Sequence, residues 1–254
     1  MSWAEAGAAA LDAGITGGMD WRLVVGGCAA VTLGMELLAR LIPLLCETER
    51  KMPVLKGAHL DAFGYYDKLY IAINKAMTCV FIYHLAMVMW HHPRIGRSAA
   101  SLSVANTVVA LPCLYVVYDL PYTLFHRVLH HRSVYKYVHK HHHRQIVPTR
   151  GNYDAINVHP FEFLVGEYLH IFAVSVVPCH VSTIAVFVVL SGVLASLNHT
   201  RFCVRVPGLY DSKNHDVHHR LYDYNFGQYI MLWDQVFGYF REYTEPKMAR
   251  AKAA

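Results

Sequence analysis

The sequence predicts an all-α integral membrane protein: a helical bundle of about four spanning segments with a cytosolic, histidine-rich helical cap. Three observations predict it. Hydrophobic residues make up 55% of the 254-residue chain and charged residues only 16%, against roughly 25% charged in an average soluble domain. Apolar runs of spanning length recur, and none alternates with the two-residue period of a strand. Polar blocks rich in arginine, lysine and histidine lie between and after these runs. Mean hydropathy is only +0.25, so a substantial part of the chain belongs in water. The net charge of +5 suits anionic headgroups, and nothing reads as a nucleic-acid module.

The N-terminal stretch MSWAEAGAAALDAG carries Glu5 and Asp12 and no basic region. It predicts no cleavable signal peptide, leaving membrane insertion to the first span. That span, 23 to 46, exceeds the roughly 20 residues needed to cross a bilayer. Glu36 and Arg40 stand four apart within it, a spacing that predicts an ion pair across one turn. The second, 69 to 90, holds Lys75 near its start, where its ammonium is expected to snorkel. The third, 102 to 125, contains Pro112, Asp119 and Pro121 and runs directly into the histidines. The apolar region from 163 to 197 is too long for one span and is punctuated by VPCH, which fits a helical hairpin or one span behind a re-entrant piece. Six cysteines (28, 46, 79, 113, 179 and 203) show no paired spacing; they read as small buried hydrophobes in a reducing environment.

The polar blocks, 126 to 160 and 199 to 246, hold most of the arginines and lysines, among them Arg127, Arg132, Lys136, Lys140, Arg201 and Lys213. This excess predicts that both face the cytoplasm. They contain HRVLH (His126, His130), HKHHH (His139, His142, His143), NHT (His199) and HDVHH (His215, His218, His219). Spacings of three and four bring imidazoles to one helix face about a turn apart, close enough to share a metal ion. One such pair is ordinarily a surface feature. Repetition of the pattern within a hundred residues supplies more nitrogens than one ion needs and suits two. Imidazole favours iron, copper, nickel or zinc over magnesium or calcium. Zinc hydrolases need fewer ligands and a glutamate base, and no HExxH occurs. A pair of redox-active irons beside a bilayer fits both the ligand count and the location.

The stretch from about Asp119 to Gly238 resembles the fatty acid hydroxylase and sterol desaturase superfamily of membrane di-iron oxygenases. The resemblance rests on HRVLHHRSVYKYVHKHHH, HPFE at 159 to 162, NHT, and HDVHHRLYDYNFGQYIMLWDQVFG. It implies metal ligands at His126, His130, His139, His142, His143, His199, His215, His218 and His219, with His159 a further candidate. Related hydroxylases place another histidine where this chain has Cys203, which is not read as a ligand. His131 and His141 are read as lying outside the ligand set. Asp119, Asp216, Asp234 and Asn225 are candidates to orient liganding rings, since such a ring usually donates its other N–H. Trp233 and Phe237 read as packing or interfacial residues, and His84, His91 and His92 lie beyond the resemblance.

The resemblance divides the chain into a membrane region with two spans (1 to 100), a di-iron catalytic domain (101 to 246) and a basic tail (247 to 254). It implies two iron ions, O2 as cosubstrate, and electrons from NAD(P)H through a separate carrier such as cytochrome b5. The expected reaction is hydroxylation or desaturation of a membrane lipid. NHTRFCVRVPGLYDSKNHDVHH is nearer to the sterol branch than to the fatty acyl and sphingolipid hydroxylases or alkylglycerol monooxygenase. A metal-transport protein is the alternative from another class, but its ligands would sit mid-span. The C-terminal RAKAA is similar to a dilysine-type retrieval signal, which would place the protein in the endoplasmic reticulum.

Overall fold

The computed structural model describes residues 21–47, 49–54 and 62–245. Its helices are α1 (Trp21–Leu45), α2 (Tyr65–His91), α3 (Ala110–Leu129), α4 (Asn152–Ala155), α5 (Pro160–Val176), α6 (Val181–Asn198), α7 (Lys213–Leu221) and α8 (Leu232–Phe237). Among the described residues, sheet is confined to two small pieces. β1 (Ile95–Gly96) pairs in parallel with β2 (Cys179–His180), and β3 (Arg205–Val206) pairs antiparallel with β4 (Tyr210–Asp211). Four helical segments among the described residues are long and apolar enough to span: Val24–Leu45, Tyr65–His91, Ala105–Leu129 and Val181–Asn198. The protein is therefore an all-α integral membrane protein. The RAKAA tail and the N-terminal stretch lie outside the described residues.

The 163–197 region forms two helices, α5 and α6, of which α6 is long and apolar enough to span. α5 ends ahead of Pro178, and His180 Nδ1 accepts from the Ser182 N–H at 3.2 Å to cap the start of α6. α5 packs on α2 and α3, and α6 on α1 and α3. Phe81, Leu114, Tyr118, Val174, Ile184 and Phe187 fill the interior. Large apolar side chains such as Leu33, Leu37, Val108 and Val189 stay exposed on the outside, as lipid-facing surfaces require. The turn between α5 and α6 brings the start of α5 and the end of α6 to the same end of the bundle as the end of α3. Both polar blocks meet there.

Two expectations are corrected. Glu36 pairs with Lys75 of α2 instead of Arg40, and its other oxygen accepts from the Tyr153 hydroxyl. Lys75 is thereby held between spans and does not snorkel. Helix-to-helix contact wins because it satisfies both charges in apolar surroundings and fixes the packing of α1 on α2. The cysteines are unpaired, but only Cys179 is fully buried, and Cys113 is exposed on α3.

Candidate metal centre

Each histidine box is delivered by a different local structure. His126 lies in the last turn of α3 and His130 caps its C-terminus. Residues 131–141 form successive turns, with His139 N donating to Tyr135 O, and a 3-10 turn, His142–Arg144, follows. His199 caps α6, and His215, His218 and His219 lie on α7.

The imidazoles converge into two groups whose ring nitrogens lie within 4.8 Å of one another: His126, His130, His139, His143 and His218, and His142, His199, His215 and His219. In HKHHH and HDVHH the residues four apart share a group, and the one three away belongs to the other. On α7 the helical rotation of about 100° per residue explains this: i+4 lands about 40° from i, whereas i+3 lands about 60° to the opposite side. One turn of backbone therefore serves both groups.

Main-chain carbonyls fix the ring tautomers. Nδ1–H donates to Phe226 O from His126 (2.7 Å), to Tyr224 O from His218 (2.8 Å), to Gln145 O from His219 (3.0 Å) and to Ala195 O from His199 (2.8 Å). Glu162 Oε1 lies 2.8 Å from His139 Nδ1, off the line of a straight hydrogen bond, and its charge favours the proton there. The Nε2 atoms of these rings are consequently bare lone pairs. Yet Nε2 of His126 and of His139 lie 3.0 Å apart. Two lone pairs at that distance repel. Such an arrangement requires a cation between them, and the donor set fits two imidazole-bound metal ions. Burial, then the neighbouring imidazoles, hold His142, His143, His215, His218 and His219 well below the ordinary imidazole range, and burial takes His130 to about 3. They are neutral at neutral pH, as metal ligation demands.

The remaining candidates lie elsewhere. His159 sits outside both groups: its Nδ1 accepts from Phe161 N–H at the start of α5, and its ring meets Tyr70. His131 is exposed, and His141 joins Asn157 and Asp67. Cys203 is outside the four-histidine group, which already has four donors without it. None of the four proposed orienting residues touches a clustered ring. Asp119 accepts from Gln228, Tyr229 and Ile230 N–H, and Asp234 from Phe226 and Gly227 N–H. Asn225 bridges Asn214 and Arg241, and Asp216 binds Arg201 and Arg220. They hold the loop and helix whose carbonyls and rings form the centre. Glu162, the acid of HPFE, is the contacting carboxylate that reading for aspartates missed. The carbonyls left no side-chain signal to find.

A cavity of about 170 Å³ runs between α1, α2, α3, α5 and α6 and reaches His142, His199 and His215. Its walls are mostly apolar, including Met35, Phe81, Ile82, Phe163 and Val188.

Residues 111–239 match a family described as fatty acid hydroxylase. The chain is 38% identical over 123 residues to the lathosterol oxidase of Rattus norvegicus, covering 46% of this chain and 40% of that protein. It is 32% identical over 128 residues to a probable Delta(7)-sterol 5(6)-desaturase of Neurospora crassa (50% and 37% covered). The identity to the Delta(7)-sterol 5(6)-desaturase of Saccharomyces cerevisiae is 31% over 135 residues (51% and 36% covered). The matches thus span about two fifths of these relatives' length. No solved structure matches. The family match covers half of the chain and contains every clustered histidine, so the chain belongs to the fatty acid hydroxylase family.

Proposed function

We propose that the protein is an O2-dependent di-iron lipid oxidoreductase that desaturates or hydroxylates an unactivated C–H of a membrane sterol, in lipid biosynthesis. The observation that carries this is the pair of imidazole groups with facing bare nitrogens at the inner end of an apolar cavity between spans. The five-histidine group and the four-histidine group would each hold one iron. The iron pair, when bound, supplies dioxygen activation and hydrogen abstraction. The chain's own contribution is positional. Carbonyls of residues 145, 195, 224 and 226 aim the rings, and Glu162 orients His139 from the cavity side. Phe81, Tyr118 and Phe163 exclude water from the approach. The sterol assignment is supported by the names of the relatives.

Electrons would come from NAD(P)H through a separate carrier such as cytochrome b5. The basic block around Arg127, Arg132, Lys136 and Lys140 supports a cytosolic face in the endoplasmic reticulum, where an acidic carrier or anionic headgroups would meet it.

The test is conversion of a sterol by the purified protein with reductant, in air and under nitrogen, alongside metal analysis. Iron near two per chain and air-dependent product are expected, with product lost and iron reduced to one per chain or fewer in H142A and H218A. Undiminished conversion in both variants, or equal conversion under nitrogen, would refute the reading.

A further inference from the structure

Two carboxylates line the cavity. Glu162 sits against His139. Glu167, five residues further along α5, is half-buried against the cavity and has no hydrogen-bond or ion-pair partner among the described residues. An unpartnered ionisable group at this depth is costly unless something supplies it with a donor. The neighbouring polar groups do not. Tyr118 spends its O–H on Gly166 O at 3.2 Å. His170 Nδ1 donates to the main-chain oxygen of Glu167, which leaves Nε2 to accept the Tyr229 O–H at 3.2 Å. Near Glu167 stand the phenolic oxygens of Tyr118 and Tyr229, which like the carboxyl group can accept; Tyr122 and Gln228 also line the cavity.

This acceptor ring has a defined depth. His126 to Tyr118 on α3, and Glu162 to His170 on α5, are each eight residues, about 12 Å at 1.5 Å per residue. Glu167 lies at about 7.5 Å on the same scale. The cavity, at about 170 Å³, is smaller than the roughly 300–1,000 Å³ that encloses a drug-sized molecule. It therefore admits one end of a lipid and leaves the rest between the spans.

We propose that Glu167 accepts the hydroxyl hydrogen of the lipid substrate, so that the C–H presented to His142 and His199 lies a few bonds from that hydroxyl. This rests on the sterol reading above, in which the alcohol is the substrate's donor. Glu167 is thus a specificity-determining residue.

Binding of radiolabelled lathosterol and of its methyl ether, which lacks the donor, to the full-length protein in detergent micelles tests this without turnover. The wild type is expected to hold the alcohol at least about tenfold tighter than the ether. E167L should lose that preference, and E167Q should keep part of it, because its amide oxygen still accepts. Unchanged metal content and melting temperature certify the variants, and the wild-type comparison stands even if E167L does not fold. Equal binding of alcohol and ether by the wild type, or a preference retained in folded E167L, would overturn the proposal. So would tighter, Glu167-dependent binding of a long-chain primary amine, which would make the ligand group a cation. Air-dependent sterol conversion without any alcohol preference sinks this inference alone. A Glu167-dependent preference for hexadecanol, with sterol neither bound nor converted, supports the role of Glu167 and sinks the sterol reading alone.

Discussion

His126 and His139 illustrate how much a single nitrogen decides. With Nδ1 committed to a carbonyl in one ring and beside a carboxylate in the other, the two Nε2 atoms can only face each other across a cation. Removing one ring from either group should therefore remove metal selectively. H218A acts on the five-histidine group and H142A on the four-histidine group. In each, metal analysis of purified protein should fall from about two ions per chain to one or fewer; a stoichiometry unchanged in both would contradict the assignment. Glu162 acts one step removed. E162Q keeps the shape but loses the charge beside His139, and metal affinity is expected to weaken about 10–100-fold, the usual effect of losing such an orienting partner. Competition with a chelator measures it.

At the scale of elements, the loop from Tyr224 to Ile230 is the least regular part of the centre and among its most constrained. It lends two carbonyls to ring orientation, and two buried aspartates from separate helices hold it. Burial pushes Asp234 up to about 6, with Phe226 and Gly227 N–H groups opposing the rise. D119A strands three N–H donors, of which the buried one on Tyr229 costs about 1–3 kcal/mol and the part-buried ones on Gln228 and Ile230 less. Thermal unfolding should show a lower melting temperature, and metal affinity should fall although no ligand has been touched. Gly227 is obligatory for a different reason: a Cβ there would lie 2.6 Å from Ile230 O and 2.8 Å from Asp234 Oδ2. The Glu36–Lys75 pair joins α1 to α2. K75M leaves Glu36 without its cation, so it should lower the melting temperature more than the E36Q/K75M double variant, in which no charge is left uncompensated.

Across the whole molecule, the concentration of neutral imidazoles makes stability depend on pH. In the folded state His130, His142, His143, His199, His215, His218 and His219 are held below the ordinary range, first by burial. In the unfolded chain they bind protons near the usual value of about 6.5. Below that pH the unfolded state binds more protons, so stability is full above about 6.5 and falls as pH drops beneath it. Metal on the neutral rings would reinforce the folded side, and protons would displace it. Chelation should lower the melting temperature at neutral pH and make its loss in acid shallower, because the contribution that protons would displace is already gone. A melting temperature indifferent to both would show that the rings neither bind metal nor stay neutral.

Composition and run length alone were sufficient for the helical membrane class, because spanning a bilayer demands long apolar segments whatever their packing. Histidine spacing likewise announced clustered imidazoles, since three- and four-residue intervals mean neighbouring turns wherever the backbone is helical. Which imidazole joins which group was beyond the sequence: His142 and His218 each leave their own box and join partners contributed by another segment. Nor did spacing reveal that Glu36 would meet Lys75, that Asp119 and Asp234 would grip a loop, or that carbonyls would aim the rings. Those outcomes depend on which helix lies beside which, and only the packed bundle sets that, because contacts between residues a hundred positions apart leave no periodic trace along the chain.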